Sequence, residues 1–445
     1  MQEALYRILF QTFSLLTDRF PRLGARSLNT IIFLLTGSRY ATKKCLRKNI
    51  ERLNRIGDFG RILVIGDLNI GDAVNLQSSI SALRDFFPSA EIEYIFNSSA
   101  ADLIDGNPEV STLWPVLTGQ TLPSENDVRQ VNRILKKHQY DLILNFCPFL
   151  KRNHLHAERD RVVNFFSLAS VFIRNENRTA EPNHIVYQTY QILHDLFSGF
   201  MPPPPRKLFE GVNITISDRA IKQARNFLTS KSLLWQNPLI LYNTDAASRF
   251  SRIPFQLQGS IIKQLAQLPA LILLGAGHTE RGIEIKLLNL LPASKRSKVV
   301  IIPPSMPLDS YAALIDFADV FITGDTGPLH IASAHKCARS KHYKFRNRTA
   351  IFSIFGASSA RIYGYDSNRP GFFPAHQEAP SYVYIAKSPC RNITCINKMA
   401  KTCKTVRCFQ SLDTEKIVFD ISSYLNSIER TPFSHLEKSL AARYS

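Results

Sequence analysis

Val320-Phe-Ile-Thr-Gly-Asp-Thr-Gly-Pro-Leu-His330 decides how this chain is read. Val320 to Ile322 is an apolar run of buried-strand type that passes through Gly324-Asp325 directly into a helix start. Asp325 and Thr326 offer side-chain oxygens as caps, Gly327 lets backbone approach a ligand closely, and Pro328 suits a first helical turn. The free N–H groups of such a start, at the positive end of the helix dipole, face an anion, so the stretch points to a diphosphate ligand. Cap and ligand roles are compatible for Asp325. His330, one turn further on, either contacts the same ligand or packs between helix and sheet.

A second junction of this kind lies far upstream. Arg61-Ile-Leu-Val-Ile65 reads as a strand, Gly66-Asp-Leu-Asn-Ile-Gly-Asp72 as a turn, and Ala73 to Phe87 as a helix closed by Pro88. Asp72 is either a helix cap or a carboxylate facing a cleft, and Asp67 reads as a residue that shapes the turn. Around the two junctions run alternating series of strands and helices, which imply parallel sheets with right-handed crossovers. The first series has strands at 91–96, 112–117 and 142–146 and a helix at 184–198; the second has strands at 239–243, 270–274, 299–302, 320–323 and 350–355. Pro202 to Pro205 is a stiff linker between them. A last helix, Thr414 to Ile428, is expected to pack back across both domains.

With 445 residues, 44% of them hydrophobic and 20% charged, the chain is globular and too long for one core. Its formal net charge of +19 comes from 55 basic and 36 acidic residues and attracts anions. The excess is concentrated in residues 1–60, 335–349 and 387–407. Each segment alone reads equally well as a solvated basic loop, and the three together favour an anionic surface partner. The first residues lack a signal-peptide pattern, so a cytoplasmic protein is expected. Leu5, Ile8, Leu9, Phe13, Leu15, Leu16 and Phe20 recur at approximately helical spacing, which fits an interfacial amphipathic helix or one packed on the protein's own core. Cys390, Cys395, Cys403 and Cys408 lack the tight spacing of common zinc sites, leaving a four-thiolate metal site or free thiols. Gly275-Ala-Gly277 lacks the rest of a dinucleotide fingerprint, which excludes a nicotinamide-dependent dehydrogenase.

Together, Gly71-Asp72 and Asp325-Thr-Gly-Pro-Leu-His330 resemble the glycosyltransferase family 9 heptosyltransferases, from about Arg61 to about Ser423. The resemblance implies an α/β fold of GT-B type, two Rossmann-like doubly wound domains facing a central cleft, here with an N-terminal helical extension. The expected layout is a basic extension at 1–60, an acceptor domain at 61–201, a linker at 202–215, a donor domain at 216–430 and a tail at 431–445. It implies Asp72 as the catalytic base, with Gly71 and Asn69 in the acceptor-side loop. Asp325, Thr326, Gly327 and His330 would hold the donor, with Thr244 adding a hydroxyl. Where the family has a phosphate-binding lysine this chain has Ser251, so Arg249 or Arg252 is the expected substitute. No Asp-x-Asp motif ends a strand, and catalysis without a required metal or cofactor is expected.

The resulting expectation is an inverting transferase on the inner face of the cytoplasmic membrane. It would move a heptose or related sugar from an ADP-linked nucleotide sugar to an anionic, lipid-linked saccharide of lipopolysaccharide type, with no nucleic acid partner. Two alternatives stay open: another nucleotide sugar or a protein acceptor on the same fold, and a family member that binds anionic membrane or glycolipid without turnover.

Overall fold

A computed structural model describes residues 59–66, 69–118, 123–147, 150, 155–157, 161–164, 184–198, 211–231, 238–246, 248, 250–275, 282–340, 343–356, 358–375, 379–387 and 406–428. The N-terminal extension, the tetraproline, Asp67, Arg249, Gly277, Cys390, Cys395 and Cys403 lie outside these residues.

The first half begins with β1 (Arg61–Ile65), α1 (Ile70–Asn75) and α2 (Gln77–Phe86), followed by β2 (Glu91–Asn97), α3 (Ala101–Ile104) and β3 (Thr112–Leu117). It continues with α4 (Glu125–Lys137), β4 (Leu142–Asn145), β5 (Val162–Asn164) and α5 (Ile185–Phe197). The single helix expected over 73–87 is two, because Leu76 closes the first and opens the second with φ −70° and ψ −11°. Ser124 starts α4 as a capping box: its hydroxyl accepts the Asp127 N–H, and the Asp127 carboxylate accepts the Ser124 N–H. Burial would raise the pKa of Asp127, but hydrogen bonds from Ser124 and Thr118 outweigh it and hold the carboxyl below its usual range.

The second half runs β6 (Asn213–Ile216), α6 (Asp218–Ser230), β7 (Leu239–Asn243), α7 (Phe255–Leu265), β8 (Leu271–Gly275), α8 (Ile283–Asn289), α9 (Ala293–Arg296) and β9 (Val299–Ile301). Then come α10 (Leu308–Phe317), β10 (Val320–Gly324), α11 (Gly327–Ser333), β11 (His335–Ala338), β12 (Ala350–Phe355), α12 (Ala360–Tyr363), β13 (Ser381–Ile385) and α13 (Thr414–Ser427).

Two fully parallel sheets result, ordered β3-β2-β1-β4-β5 and β13-β12-β10-β7-β8-β9. Each sheet starts in its middle and winds outward in both directions, so the strand order reverses between β1 and β4 and again between β7 and β10. Ligands of doubly wound sheets bind at such reversals, outside the carboxyl ends of the strands. Central strands are apolar on both faces: β7, β10 and β12 are buried throughout, as a sheet covered by helices on two sides requires.

One hydrophobic cluster spans both halves, beside clusters confined to each. Val74 of α1, Leu103 of α3 and Val186 of α5 are buried in the same cluster as Ile214, Tyr311 and Leu329 of the second half. The basic segment at 335–349 adds a splint: β11 pairs in parallel with β6, and Arg339 reaches Asp105 of the first half at 2.7 Å and the Asp102 carbonyl at 3.1 Å. Lys336 is buried and donates to the Ala332 carbonyl at 3.2 Å, and Arg346 donates to the carbonyls of Asp316 and Ala318. Lys336, Arg339 and Arg346 of this segment are thus engaged with the protein itself. Among the described residues α13 lies against the second half, with Thr414 on Ser260 of α7 and Tyr424 on Phe352 of β12, and does not cross the domains as expected.

Candidate functional site

Both reversal points carry the residues singled out in the sequence, and the fold brings them face to face. Asp72 lies in the first turn of α1, half-buried, and Asn69 Nδ2 donates to its Oδ2 at 2.8 Å. Gly71 meets the start of α11 so closely that a Cβ there would lie 2.8 Å from His330 Cδ2 and 3.3 Å from Gly327 Cα. A Cβ on Gly327 would in turn lie 3.4 Å from the Gly71 nitrogen. The constraint is therefore one-sided: at 71 a side chain would collide with the His330 ring, whereas at 327 a Cβ would make ordinary van der Waals contact.

The donor-side junction is built more tightly. Gly324 ends β10 so near the loop after β7 that a Cβ would approach the Ser251 carbonyl to 2.6 Å. Ser251 Oγ donates to Asp325 Oδ2 at 3.2 Å, so the residue standing where the family has lysine is engaged with the acid of the motif. Asn243, at the end of β7, lies beneath both: its Nδ2 is 3.1 Å from Thr323 Oγ1, 3.4 Å from Thr326 Oγ1 and 3.0 Å from the Asp245 carbonyl. The Tyr311 hydroxyl donates to Asn243 Oδ1 at 3.3 Å. Thr326 occupies the N-cap of α11 in extended conformation, and its hydroxyl joins this network instead of capping the helix.

Of the other donor-side residues, Thr244 is buried and its hydroxyl donates to the Gly275 carbonyl at 3.2 Å. Arg252 pairs with the buried Asp245 at 2.9 Å and donates to the Ala246 carbonyl at 3.0 Å, bracing the loop that follows β7. His330 is buried, as the packing alternative expects, and the edge of its ring borders the seam beside Gly71. Burial lowers its pKa to about 4, although the Asp325 charge works in the other direction. It is neutral at physiological pH.

Sequence reasoning missed Asn243, Tyr365 and His184. The Tyr365 hydroxyl lies 3.0 Å from His330 Nδ1, and its ring packs tilted, at 46°, against His184 with centroids 4.2 Å apart. Asn243 had a signal, as a polar residue at the end of an apolar strand beside a reversal point. Cys408 is buried, and among the described residues no group of His, Cys, Asp or Glu is arranged to hold a metal ion. The turn that carries Asp72 thus meets, through Gly71, the start of α11, beside which lie the buried hydroxyls of Thr323 and Thr326.

Comparison with known proteins bears on this arrangement. The family model described as glycosyltransferase family 9 (heptosyltransferase) matches residues 128–337, which contain the donor-side motif and end where the basic segment begins. A putative glycosyltransferase of Haemophilus influenzae is 22% identical over 288 residues, covering 62% of this chain and 79% of the relative. Among solved structures, a glycosyl transferase family 9 protein from Veillonella parvula superposes with TM-score 0.61 at 17% identity, covering 83% of this chain and 98% of the other. The ADP-heptose lps heptosyltransferase II of E. coli superposes with TM-score 0.54 at 16% identity, covering 82% and 98%. Both superpositions extend over the two halves and identify the fold as GT-B. Residues 128–337, which hold the donor-side motif, match the glycosyltransferase family 9 model, and with the relative found by sequence this makes the chain a glycosyltransferase similar to that family.

Proposed function

We propose that the chain transfers a heptose or related sugar, with inversion, from an ADP-linked donor to a lipid-linked saccharide of lipopolysaccharide type. The observation that supports this reading is the contact of Gly71, next to Asp72, with Gly327 and His330 of α11; in this reading the diphosphate lies at Thr326-Gly327 and the Asp72 carboxylate reaches the acceptor hydroxyl. Asp72 takes the proton of the acceptor hydroxyl, and the acceptor oxygen attacks the anomeric carbon. The bond from that carbon to the diphosphate oxygen breaks on the opposite face, and the diphosphate leaves with its electron pair toward the N–H groups of α11. Thr244, Arg249 and Arg252 belong to the donor side in this reading, and Asn69 to the acceptor side.

The donor assignment is supported by the fold shared with the E. coli enzyme named for ADP-heptose. Ser251 in place of lysine, bonded to Asp325, favours a second reading in which the fold is the same and the nucleotide sugar differs. The acceptor and the location at the inner membrane face are supported by the net charge of +19. Removing residues 1–60 should reduce co-sedimentation with anionic liposomes while leaving hydrolysis of a soluble donor intact. An insoluble truncated protein would instead make that segment part of the core.

Turnover with a panel of nucleotide sugars, for wild type and Asp72→Ala, tests the reading. ADP-heptose should be the preferred donor, and Asp72→Ala should lower kcat about a hundredfold or more with donor affinity nearly unchanged. Near-normal turnover in the folded variant would remove Asp72 from the reaction. Preference for another nucleotide sugar would select the second reading.

A further inference from the structure

A groove of about 590 Å³ lies at the outer edge of the second sheet, between β13 and α13. Its lining is partly aromatic. Tyr382 and Tyr384, alternate residues of the edge strand, stack on Phe352 with centroids 4.7 and 6.4 Å away, and Tyr424 of α13 meets the same ring at 6.3 Å. Phe352 is fully buried, so the three tyrosines that line the groove are supported from one side by a ring of the core. Ile354 of β12 is in register with both Gly324 and Tyr384, which puts Tyr384 two strands, about 10 Å, to the side of the donor junction.

The other lining groups limit what the groove can take. Asp420 accepts from Lys416 Nζ at 2.9 Å and from the Tyr384 hydroxyl at 2.8 Å. Asp366 is buried, accepts the Asn368 N–H at 3.1 Å and pairs with Arg369 Nε at 3.4 Å. Two carboxylates matched by two cations leave no net charge to attract a polyanion and no carboxylate without a cation beside it. The strand edge is occupied as well. The outward N–H of Ser381 donates to Ser367 Oγ, its carbonyl accepts the Ser367 N–H, and the Val383 carbonyl accepts from Arg369, so an added peptide strand would have to displace these bonds.

Aromatic rings beside fixed polar groups remain. Among the described residues the hydroxyls of Tyr382, Tyr424 and Ser423 and the side-chain amide of Asn368, all in the groove lining, make no hydrogen bond to the protein. A sugar ring matches this set, because its C–H face packs on an aromatic ring while the hydroxyls around its rim pair with amide, hydroxyl and carboxylate groups. The volume lies within the usual range for a small-molecule site.

We propose that the groove between β13 and α13 is a saccharide-binding subsite, apart from the transfer seam, that takes an uncharged sugar unit against Tyr382, Tyr384 and Tyr424. It goes beyond the transfer reading and holds whichever donor and acceptor the seam uses.

The test uses the full chain with carbon-13 in its tyrosine rings. Methyl glycosides of glucose, galactose and a heptose are the probes, and at least one should shift the resonances of Tyr382, Tyr384 and Tyr424, identified by their Phe variants. Saturating ADP should leave those shifts in place, and glucose 6-phosphate should bind no better than methyl glucoside. Tyr424→Ala should weaken binding about tenfold, the size of one lost aromatic contact. Asn368 is exposed, so Asn368→Trp should fill the groove and abolish the shifts with an unchanged Tm, which separates loss of binding from loss of fold. Three rings unmoved by every glycoside, or shifts that survive Asn368→Trp, overturn the proposal. So do shifts reversed by ADP, which belong to the seam, tighter binding of the phosphorylated sugar, which marks an anion site, and shifts seen only after removal of residues 431–445, which make that segment the occupant. A wild type that turns over no nucleotide sugar overturns the transfer reading and leaves this result standing.

Discussion

The two strand-to-helix junctions are alike in plan and opposite in construction. After β1, Asp72 is half-buried and Asn69, three residues away, donates to its carboxylate. After β10, Thr326 is buried in a network that reaches Asn243, Thr323 and Tyr311 from two other elements. In the proposed reaction, Asp72, the group that takes up and releases a proton, sits half-buried at the rim of the seam. The residues proposed to hold the donor are braced from behind, and each supporting bond removes a way for them to move.

If that contrast is right, perturbing the seam itself should have the largest effect. Gly71→Val places a Cβ 2.8 Å from His330 Cδ2 and forces the halves apart. Displacement of reacting groups by about an ångström costs roughly a hundredfold, so kcat/KM should fall by at least that much while ADP affinity changes less. Unchanged kinetics would mean that this contact is not part of the site.

The braced junction should respond in stability as well as binding. Asn243→Leu leaves the hydroxyls of Thr323, Thr326 and Tyr311 without their buried partner, which should cost about 2 kcal/mol in denaturant unfolding and weaken nucleotide binding. On the open side, Asn69→Ala removes one bond to a half-buried carboxylate and should cost under about 1 kcal/mol, with its effect in kcat instead. Equal stability losses would erase the contrast.

Acid should act on the braced side as well. Because burial depresses His330 to about 4, the unfolded chain binds a proton there as pH falls below about 6.5 and the folded chain does not. The stability held above that pH should therefore decline between about 6.5 and 4 and level off below. His330→Gln should flatten part of that decline in pH-dependent unfolding. His184, depressed by burial and by His330 beside it, accounts for a further part. The smallest effect is expected at Arg252: its partner Asp245 already occupies it, so Arg252→Met should weaken ADP binding by no more than about tenfold.

Much of this was legible in the chain, for a physical reason. Strand, glycine turn and helix start are local, so Val320 to His330 and Arg61 to Asp72 declare themselves within a dozen residues, and alternating elements imply the parallel sheets. What was hidden depends on residues far apart in sequence. β6 pairs with β11 across more than a hundred positions, turning part of a basic loop into a splint, and no local periodicity marks either strand as the other's partner. Tyr365 lies 35 positions beyond His330 in an irregular segment, and nothing in its neighbourhood announces a bond to the motif. The break at Leu76 is invisible because the apolar pattern continues through it.

The most direct measurement is a crystal structure with an intact, non-transferable ADP-linked sugar. The account predicts the diphosphate at the start of α11, hydrogen-bonded to the N–H groups around Thr326 and Gly327, with the anomeric carbon turned toward the Asp72 carboxylate across the Gly71 seam. A nucleotide bound elsewhere, or a sugar facing away from Asp72, would show that the two junctions do not form one transfer site.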